Sequence, residues 1–328
     1  MSTRPSASPP IAPDAAAIAE FASAVQYYLA LRPRQLPSRY LYDALGSALF
    51  EAICCLPWYG ITRAESRLLE AHGRALVARL APLSRIVELG SGSGDKLRRL
   101  LDAAGAERPP LDVHLVDLSP SALEASTQAL ASFDAVTVAT HCARYEAGLV
   151  EAVADPTPGR TLVMFLGSNI GNFDPPGAAA LLRGIRASLR AGDALLLGAD
   201  LVKPERDLRL AYDDPLGVTA AFNRNLLVRI NRELDATFDV DRFAHRAAWN
   251  AGAARVEMHL VADSAQEVTI AQAGLRLRLA RGEAIWTESS YKYVPEQLES
   301  MAAVAGFAPA AQWIDPRDRF ALTLFESR

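Results

Sequence analysis

The sequence contains few residues that could form disulfides or bind a metal ion. Only three cysteines occur among its 328 residues, Cys54, Cys55 and Cys142, and they form no Cys-x-x-Cys pair. Adjacent cysteines rarely bridge each other, and stable disulfides are uncommon in reducing compartments. The five histidines are scattered, with no His-x-x-x-His pair among them. We therefore expect a reduced, cytoplasmic protein without structural disulfides and without a metal.

Long apolar runs and an excess of positive charge are also lacking. No apolar run reaches the ~18 residues that a membrane-spanning helix needs, and a net charge of −4 leaves no basic surplus for nucleic acid. Residues 1–13 are rich in Ser, Pro and Ala but lack the apolar core of a signal peptide, so we expect a disordered tail. These features favour a small-molecule substrate, and neither a membrane nor a nucleic acid as partner. We also expect a monomer.

From residue 85 onward, short apolar runs alternate with helical segments. Ser119-Pro120 and Asp174-Pro175 are typical helix starts, with an N-cap followed by proline. Such alternation predicts a parallel, doubly wound α/β sheet. Two runs near the C-terminus, 307–313 and 320–327, predict an antiparallel hairpin at its edge. The strand-like runs of the parallel sheet are 85–89, 113–118, 136–140, 161–167 and 194–200.

After Leu201 the apolar pattern changes to a period of two. Four runs between 255 and 293 alternate apolar and polar residues, which predicts an antiparallel meander. A helical segment precedes them. We therefore expect a second, α+β domain that binds the substrate. Its predicted residues are 14–63 and 201–293, which leaves 64–200 and 294–328 for the first domain.

A glycine-rich loop at 90–94 follows the first strand of the parallel sheet, where ligands bind in open α/β sheets. Asp95 occupies the place of the third glycine in the dinucleotide fingerprint, and its charge would repel a pyrophosphate. S-adenosylmethionine has no phosphate and carries a sulfonium cation, so Glu88, Asp95 and Asp117 suit it. Asp117 ends the second strand, where a carboxylate can accept both ribose hydroxyls. The loop therefore favours a methyltransferase over a nicotinamide-dependent oxidoreductase.

Several long motifs allow a comparison with known families. They resemble the histidine-specific N-α-methyltransferases of ergothioneine biosynthesis, and the resemblance runs from about Arg34 to Leu324. That family converts histidine to its trimethylated betaine, hercynine, and joins a methyltransferase domain to a separate substrate domain. The motifs are LPWYGITRAE (56–65), VELGSGSGDK (87–96), FLGSNIGNF (165–173), LGADLVK (197–203), AYDDPLGVTAAFNRN (211–225) and TESSYK (287–292).

The resemblance implies a role for individual residues. Asn172 and Tyr212 would hold the carboxylate and backbone end of the substrate, while Tyr59, Glu288 and Ser290 would hold its imidazole. Two residues apart on a strand, Glu288 and Ser290 point to the same face. The implied substrate contacts are Tyr42, Tyr59, Asn172, Tyr212, Met258, Glu288 and Ser290. Beside Glu88, the implied cofactor contacts are Gly90, Gly92, Gly94, Lys96 and Asp117, with Arg144 and Tyr145 in the segment that meets the adenine.

The sequence departs from the family pattern in two places. Gly60-Ile61 follows Tyr59 where most members have Tyr-Pro, so we expect a change at the mouth of the substrate site. Arg144 stands where the family has an aspartate that meets the adenine amino group. Arginine has no acceptor for an amino hydrogen, so the backbone at Tyr145 or another side chain must recognise the adenine.

Two other functions stay open at this point. One is a methyltransferase of the same family that acts on another amino acid, such as a tryptophan derivative. The other is a catalytically silent nucleoside-binding protein. Glu288 argues against the first, because a tryptophan derivative has no imidazole for it to bind. The intact glycine loop argues against the second.

Overall fold

The computed structural model describes residues 15–105 and 109–328, so the predicted tail at 1–13 lies outside the described residues. Within these ranges the strands are β1 (Arg34–Gln35), β2 (Leu83–Leu89), β3 (Leu111–Asp117), β4 (Val136–Cys142), β5 (Arg160–Phe165), β6 (Ala194–Asp200), β7 (Phe243–Asn250), β8 (Arg255–Ala262), β9 (Gln266–Ile270), β10 (Leu275–Leu279), β11 (Ala284–Tyr291), β12 (Phe307–Asp315) and β13 (Phe320–Ser327). The helices are α1 (Ala15–Ala30), α2 (Ala44–Cys54), α3 (Gly60–Arg79), α4 (Asp95–Ala104), α5 (Pro120–Leu130), α6 (Tyr145–Ala152), α7 (Pro175–Ala187), α8 (Glu205–Tyr212), α9 (Val218–Leu234) and α10 (Pro295–Val304).

Seven strands form one sheet in the order β12-β13-β6-β5-β2-β3-β4. The five strands from β6 to β4 are parallel, whereas β13 runs antiparallel to β6 and β12 runs antiparallel to β13. The chain proceeds from β2 outward to β4 and then returns to β5 on the other side of β2. Ligands of open α/β sheets bind at such a reversal, beyond the carboxyl ends of the strands. The predicted doubly wound sheet with its C-terminal antiparallel hairpin is confirmed.

Local sequence explains these elements. Every residue of β6 is buried, as expected for an apolar strand covered on both faces. The Ser119 side chain accepts a hydrogen bond from the backbone N–H of Ala122, 3.3 Å away, and starts α5. Asp174 caps α7 through the N–H of Gly177 at 2.9 Å. Both predicted N-caps are confirmed.

A second sheet has four strands in the order β1-β11-β8-β7. The predicted meander is wrong in its pairing, because β9 and β10 form a separate two-stranded sheet and β11 returns past them to β8. The apolar side chains of the β9–β10 hairpin pack into the core beside α9. The hairpin therefore covers a helix instead of extending the sheet. Its buried apolar residues are Val268, Ile270, Leu277 and Leu279.

The two sheets are joined where the chain leaves and re-enters the first one. Leu201 and Tyr293 form a parallel β bridge. The N–H of Val202 donates to the Tyr293 carbonyl at 2.9 Å, and the N–H of Tyr293 donates to the Asp200 carbonyl at 3.1 Å. These residues lie at the boundaries predicted for the inserted segment. The carboxyl end of β6 is thus fixed to the end of β11.

Candidate active site

The glycine loop between β2 and α4 has a backbone that side chains would disturb. Gly90, Gly92 and Gly94 have φ angles of +79°, +52° and +75°, a region that L-residues with a Cβ rarely adopt. A Cβ on Gly94 would lie 2.7 Å from the Ser126 Cα, and one on Gly90 would lie 2.9 Å from the Asn169 Nδ2. The loop therefore needs its glycines and leaves its backbone open to a ligand at the reversal of strand order.

Asp117 lies against this loop at the end of β3. Its carboxylate accepts hydrogen bonds from the N–H of Gly92 at 3.2 Å and from the N–H of Ser119 at 2.9 Å. Burial raises the pKa of Asp117, although these backbone hydrogen bonds lower it. The carboxylate is thus fixed in orientation beside the loop, as an acceptor for ribose hydroxyls requires.

Glu88 is the last but one residue of β2 and is almost fully buried. Burial raises its pKa to about 8. Its Oε2 atom has no hydrogen-bond partner among the described residues, and a buried polar atom without a partner is costly. Because Glu88 ends beside the glycine loop, a polar ligand bound there would supply the missing partner.

Lys96, in the first turn of α4, is engaged by a carboxylate that the sequence analysis did not single out. Its Nζ lies 2.9 Å from Glu65 Oε2, and the N–H of Gly167 donates to both Glu65 oxygens, at 2.9 and 3.0 Å. Burial alone would lower the pKa of Lys96, but Glu65 raises it. Glu65 thereby holds the loop after β5 close to the first turn of α4, which directly follows the glycine loop.

The carboxylate of Asp95, the first residue of α4, is engaged in ion pairs. It forms ion pairs within its own helix, with Arg98 at 2.8 Å and Arg99 at 2.6 Å. These arginines hold the pKa of Asp95 below its ordinary value even though burial raises it. The carboxylate of Asp95 is thus already paired within α4, and its suitability for S-adenosylmethionine stays a prediction.

Arg144 and Tyr145 lie at the start of α6 and differ in exposure. More than half of the Arg144 side chain is exposed, and it forms an ion pair with Glu20 of α1. Tyr145 is turned inward and packs edge-on against Phe165, with ring centroids 5.2 Å apart. A Cβ on Gly90 would lie 3.2 Å from the Tyr145 hydroxyl. Tyr145, and not Arg144, is thus the side chain that meets the glycine loop.

A cavity that is partly open to solvent lies near the glycine loop. It is bordered by the loop after β5, by α2, α8 and α9, and by the β8–β11 pair. All seven residues predicted to bind the substrate line it: Tyr42, Tyr59, Asn172, Tyr212, Met258, Glu288 and Ser290. The other lining residues are Phe50, Ile53, Gly167, Ser168, Asn169, Ala211, Thr219 and Phe222. Asn169 also approaches Gly90, so the cavity adjoins the predicted cofactor site.

Aromatic rings form one side of the cavity. Tyr42 packs edge-on against Phe50 and Phe222, with ring centroids 5.5 Å apart in both pairs. Tyr59 contacts Phe50 and Tyr212 in the same manner, at 6.2 and 6.3 Å. Phe50 and Phe222 were not predicted, because an apolar residue on a helix is usually part of the core. This side of the cavity is therefore largely aromatic.

The polar end of the cavity is formed by β11. A β-bulge shifts the register between Trp286, which pairs with His259, and Glu288, which pairs with Met258. In a regular strand, residues two apart share a face, so Glu288 would lie on the face of Trp286. The bulge instead turns Glu288 into the cavity on the same side as Ser290. Burial raises the pKa of Glu288 to about 7.

Gly60 and Ile61 pack away from the cavity. Ile61 is buried in the core, and a Cβ on Gly60 would lie 2.4 Å from Asp318 Oδ1 in the β12–β13 turn. Neither residue lines the cavity. We therefore place this departure in the packing of α3 and not at the mouth of the substrate site.

Among residues 15–105 and 109–328, no helix combines the length and the apolar character of a membrane span. In the same ranges, no group of three or more His, Cys, Asp or Glu side chains is arranged to hold a metal ion. The three cysteines are all free.

Comparison with known proteins identifies the family. The family described as "Histidine-specific methyltransferase, SAM-dependent" matches residues 21–327. The chain belongs to this family. It is 41% identical to the histidine N-alpha-methyltransferase of Mycolicibacterium smegmatis over 90% of this chain and 91% of that one. Identity to the histidine N-alpha-methyltransferase of Mycobacterium tuberculosis is 42%, over 89% and 90%. Ergothioneine biosynthesis protein 1 of Neurospora crassa is 28% identical, over 86% of this chain and 32% of that one.

Proposed function

We propose that this protein transfers the methyl group of S-adenosylmethionine to the α-amino nitrogen of L-histidine. We further propose that three such transfers give hercynine, a step of ergothioneine biosynthesis. The observation that carries the proposal is the buried Glu288 carboxyl at the polar end of a cavity that adjoins the glycine loop through Asn169. Family membership supports the same activity.

The residues around the glycine loop fit S-adenosylmethionine. Asp117 would accept the ribose hydroxyls, Glu88 would use its unpartnered oxygen on a polar group of the ligand, and Tyr145 would border the adenine. An acidic environment suits a cofactor that carries a sulfonium and no phosphate. When bound, the cofactor supplies an electrophilic methyl group.

The substrate would be held at its two ends. Glu288, Ser290 and Tyr59 would bind the imidazole, which offers one donor and one acceptor when neutral. Asn172 and Tyr212 would bind the carboxylate end. In this arrangement no residue holds the amine itself, so the nitrogen stays free to rotate between successive methylations.

The chain's own residues supply alignment and exclusion of water. Only a neutral amine has the lone pair that attacks the methyl group, and a nearby sulfonium lowers the pKa of the amine because like charges disfavour protonation. Burial raises the pKa of Tyr42 and of Tyr59 well above the ordinary value for tyrosine. Their hydroxyls therefore stay neutral, and a tyrosinate is not the base. Rate enhancement then comes from holding the amine in line with the methyl group.

We also propose that the chain acts as a monomer in the cytoplasm, with residues 14–63 and 201–293 as the substrate-binding domain. Three unpaired cysteines are consistent with a reducing compartment.

The activity is tested by incubating the protein with S-adenosylmethionine and, separately, with each common amino acid. Mass spectrometry with fragmentation would locate any added methyl groups. We expect methylation of histidine on the α-nitrogen. Preference for tryptophan would overturn the substrate, and methylation of none would leave the nucleoside-binding alternative.

A further inference from the structure

A lysine side chain is fully buried behind the polar end of the cavity. Lys292 directly follows β11, and its Nζ lies 2.8 Å from the Tyr212 hydroxyl and 2.8 Å from Ser290 Oγ. The third neighbour is Asp200 Oδ2, at 3.0 Å. An ammonium group has three hydrogens and no acceptor, so these three oxygens use all of them.

The environment of Lys292 keeps it charged. Burial alone would lower its pKa, but Tyr212 and Asp200 raise it above the ordinary value for lysine. Asp200 is shared with a second cation, since its Oδ1 lies 2.6 Å from the Nζ of Lys203. Two ammonium groups therefore flank one carboxylate. A buried charge with all its hydrogen bonds satisfied is ordered and costly to remove.

Counting hydrogens shows what this ammonium does to the two hydroxyls. The oxygens of Tyr212 and Ser290 are 2.8 Å apart, so one of them donates to the other. Because both already accept from Lys292, their two hydroxyl hydrogens cannot turn toward it. One hydrogen is used between them, and one remains for an acceptor in the cavity.

We propose that Lys292 is a positioning residue that makes Tyr212 and Ser290 act as one oriented hydrogen-bond donor toward the substrate. This inference rests on the proposed function, in which the acceptor is the carboxylate of histidine. The ammonium also polarises the remaining O–H group, and a hydrogen bond that involves a charged partner is stronger than a neutral one.

The test compares two lysines that share Asp200 but differ in their contact with the cavity. Lys292→Met removes the ammonium behind Tyr212 and Ser290. Lys203→Met is the matched control, because Lys203 contacts Asp200 and the Asp318 carbonyl and lies at neither hydroxyl. We expect Lys292→Met to raise KM for histidine about ten- to a hundredfold, the worth of hydrogen bonds to charged groups. Binding of S-adenosylhomocysteine should be unchanged in both variants, and Lys203→Met should keep KM within about twofold of wild type.

A double-mutant cycle distinguishes a positioning role of Lys292 from a general loss of structure in the variant. If Lys292 acts through the hydroxyls, Tyr212→Phe should raise KM far less in the Lys292→Met background than in the wild type. Additive effects, an equal rise of KM in Lys203→Met, or an unchanged KM in folded Lys292→Met would each overturn the proposal. Failure of wild-type protein to methylate histidine would instead overturn the proposed function.

A measurement on the wild-type protein covers the case in which Lys292→Met does not fold. The Lys292 ammonium behind the Tyr212 hydroxyl predicts that histidine binds at least about tenfold more tightly than histidine amide, which lacks the negative charge. Calorimetric titration with both ligands in the presence of S-adenosylhomocysteine would measure this ratio. Equal affinities would refute the role of Lys292.

Discussion

Replacing Glu288 with alanine should lower kcat/KM for histidine much more than for tryptophan. Glu288 lies opposite Met258 at the polar end of the cavity and has little exposed surface. In the wild type Glu288 and a hydroxyl of Ser290 or Tyr59 can pair with both nitrogens of the imidazole, whereas an indole offers a donor but no acceptor and leaves one partner unpaired. A substrate that cannot satisfy the polar groups of such a site leaves them buried and unpaired.

The size of the effect follows from the burial of this group. A hydrogen bond to a charged group contributes ~1.5–3 kcal/mol, so Glu288→Ala should lower kcat/KM for histidine about ten- to a hundredfold. A site built around buried hydrogen bonds can reject an analogue that lacks them by as much as ~10⁴–10⁵-fold. The relative preference for tryptophan should therefore rise in the variant, even if its absolute rate stays low.

The assay measures kcat/KM for histidine and for tryptophan in the wild type, Glu288→Ala and Asn172→Ala. Asn172 is the control because it is proposed to contact the end that all amino acids share. Asn172→Ala should weaken both substrates by a similar factor. If Glu288→Ala left histidine turnover unchanged, Glu288 would not be the imidazole anchor, and the substrate would have to be assigned again.

Further predictions concern the cofactor side of the sheet. S-adenosylhomocysteine should raise the melting temperature while NAD should not, and Asp117→Ala should weaken binding of S-adenosylhomocysteine by ~1.5–3 kcal/mol in a calorimetric titration. Arg144→Asp should leave that affinity unchanged or tighten it, because Arg144 is more than half exposed; a large loss would make Arg144 a ligand contact. Burial raises the pKa of Glu88 to about 8 from an ordinary 4.5, so between these values the folded protein binds more protons than the unfolded chain. The contribution of Glu88 to stability should therefore fall as the pH rises through this interval, and Glu88→Gln should flatten the decline of melting temperature measured between about pH 5 and pH 8.

Sequence patterns were sufficient for the elements whose cause is local. The glycine loop, the caps at Ser119 and Asp174 and the apolar run of β6 each depend on neighbouring residues, and the structure has them where they were predicted. Glu288 and Ser290 were expected on one face, and both line the cavity.

What the sequence could not provide depends on long-range pairing. The bulge before Glu288 is visible only once β11 is aligned with β8. The same holds for the β9–β10 hairpin, whose alternation of apolar residues is equally compatible with a meander. In the sequence, Lys292 looks like any lysine beside a strand. Its burial becomes evident only in the structure, where Asp200 and Tyr212 contact it. Nothing in the sequence around Phe50 and Phe222 distinguishes residues that line a cavity from residues of the hydrophobic core.

The pairing of β6 with β13 has a consequence for how the protein folds during synthesis. β6 ends at Asp200, but the strand that pairs with its outer edge begins only at Phe320. Until the ribosome has released that last strand, a largely apolar strand has an unpaired edge, and such edges promote aggregation. The inserted segment must be completed within this interval. Chains that stop before β13 should therefore aggregate, even though every residue that lines the cavity has already been made.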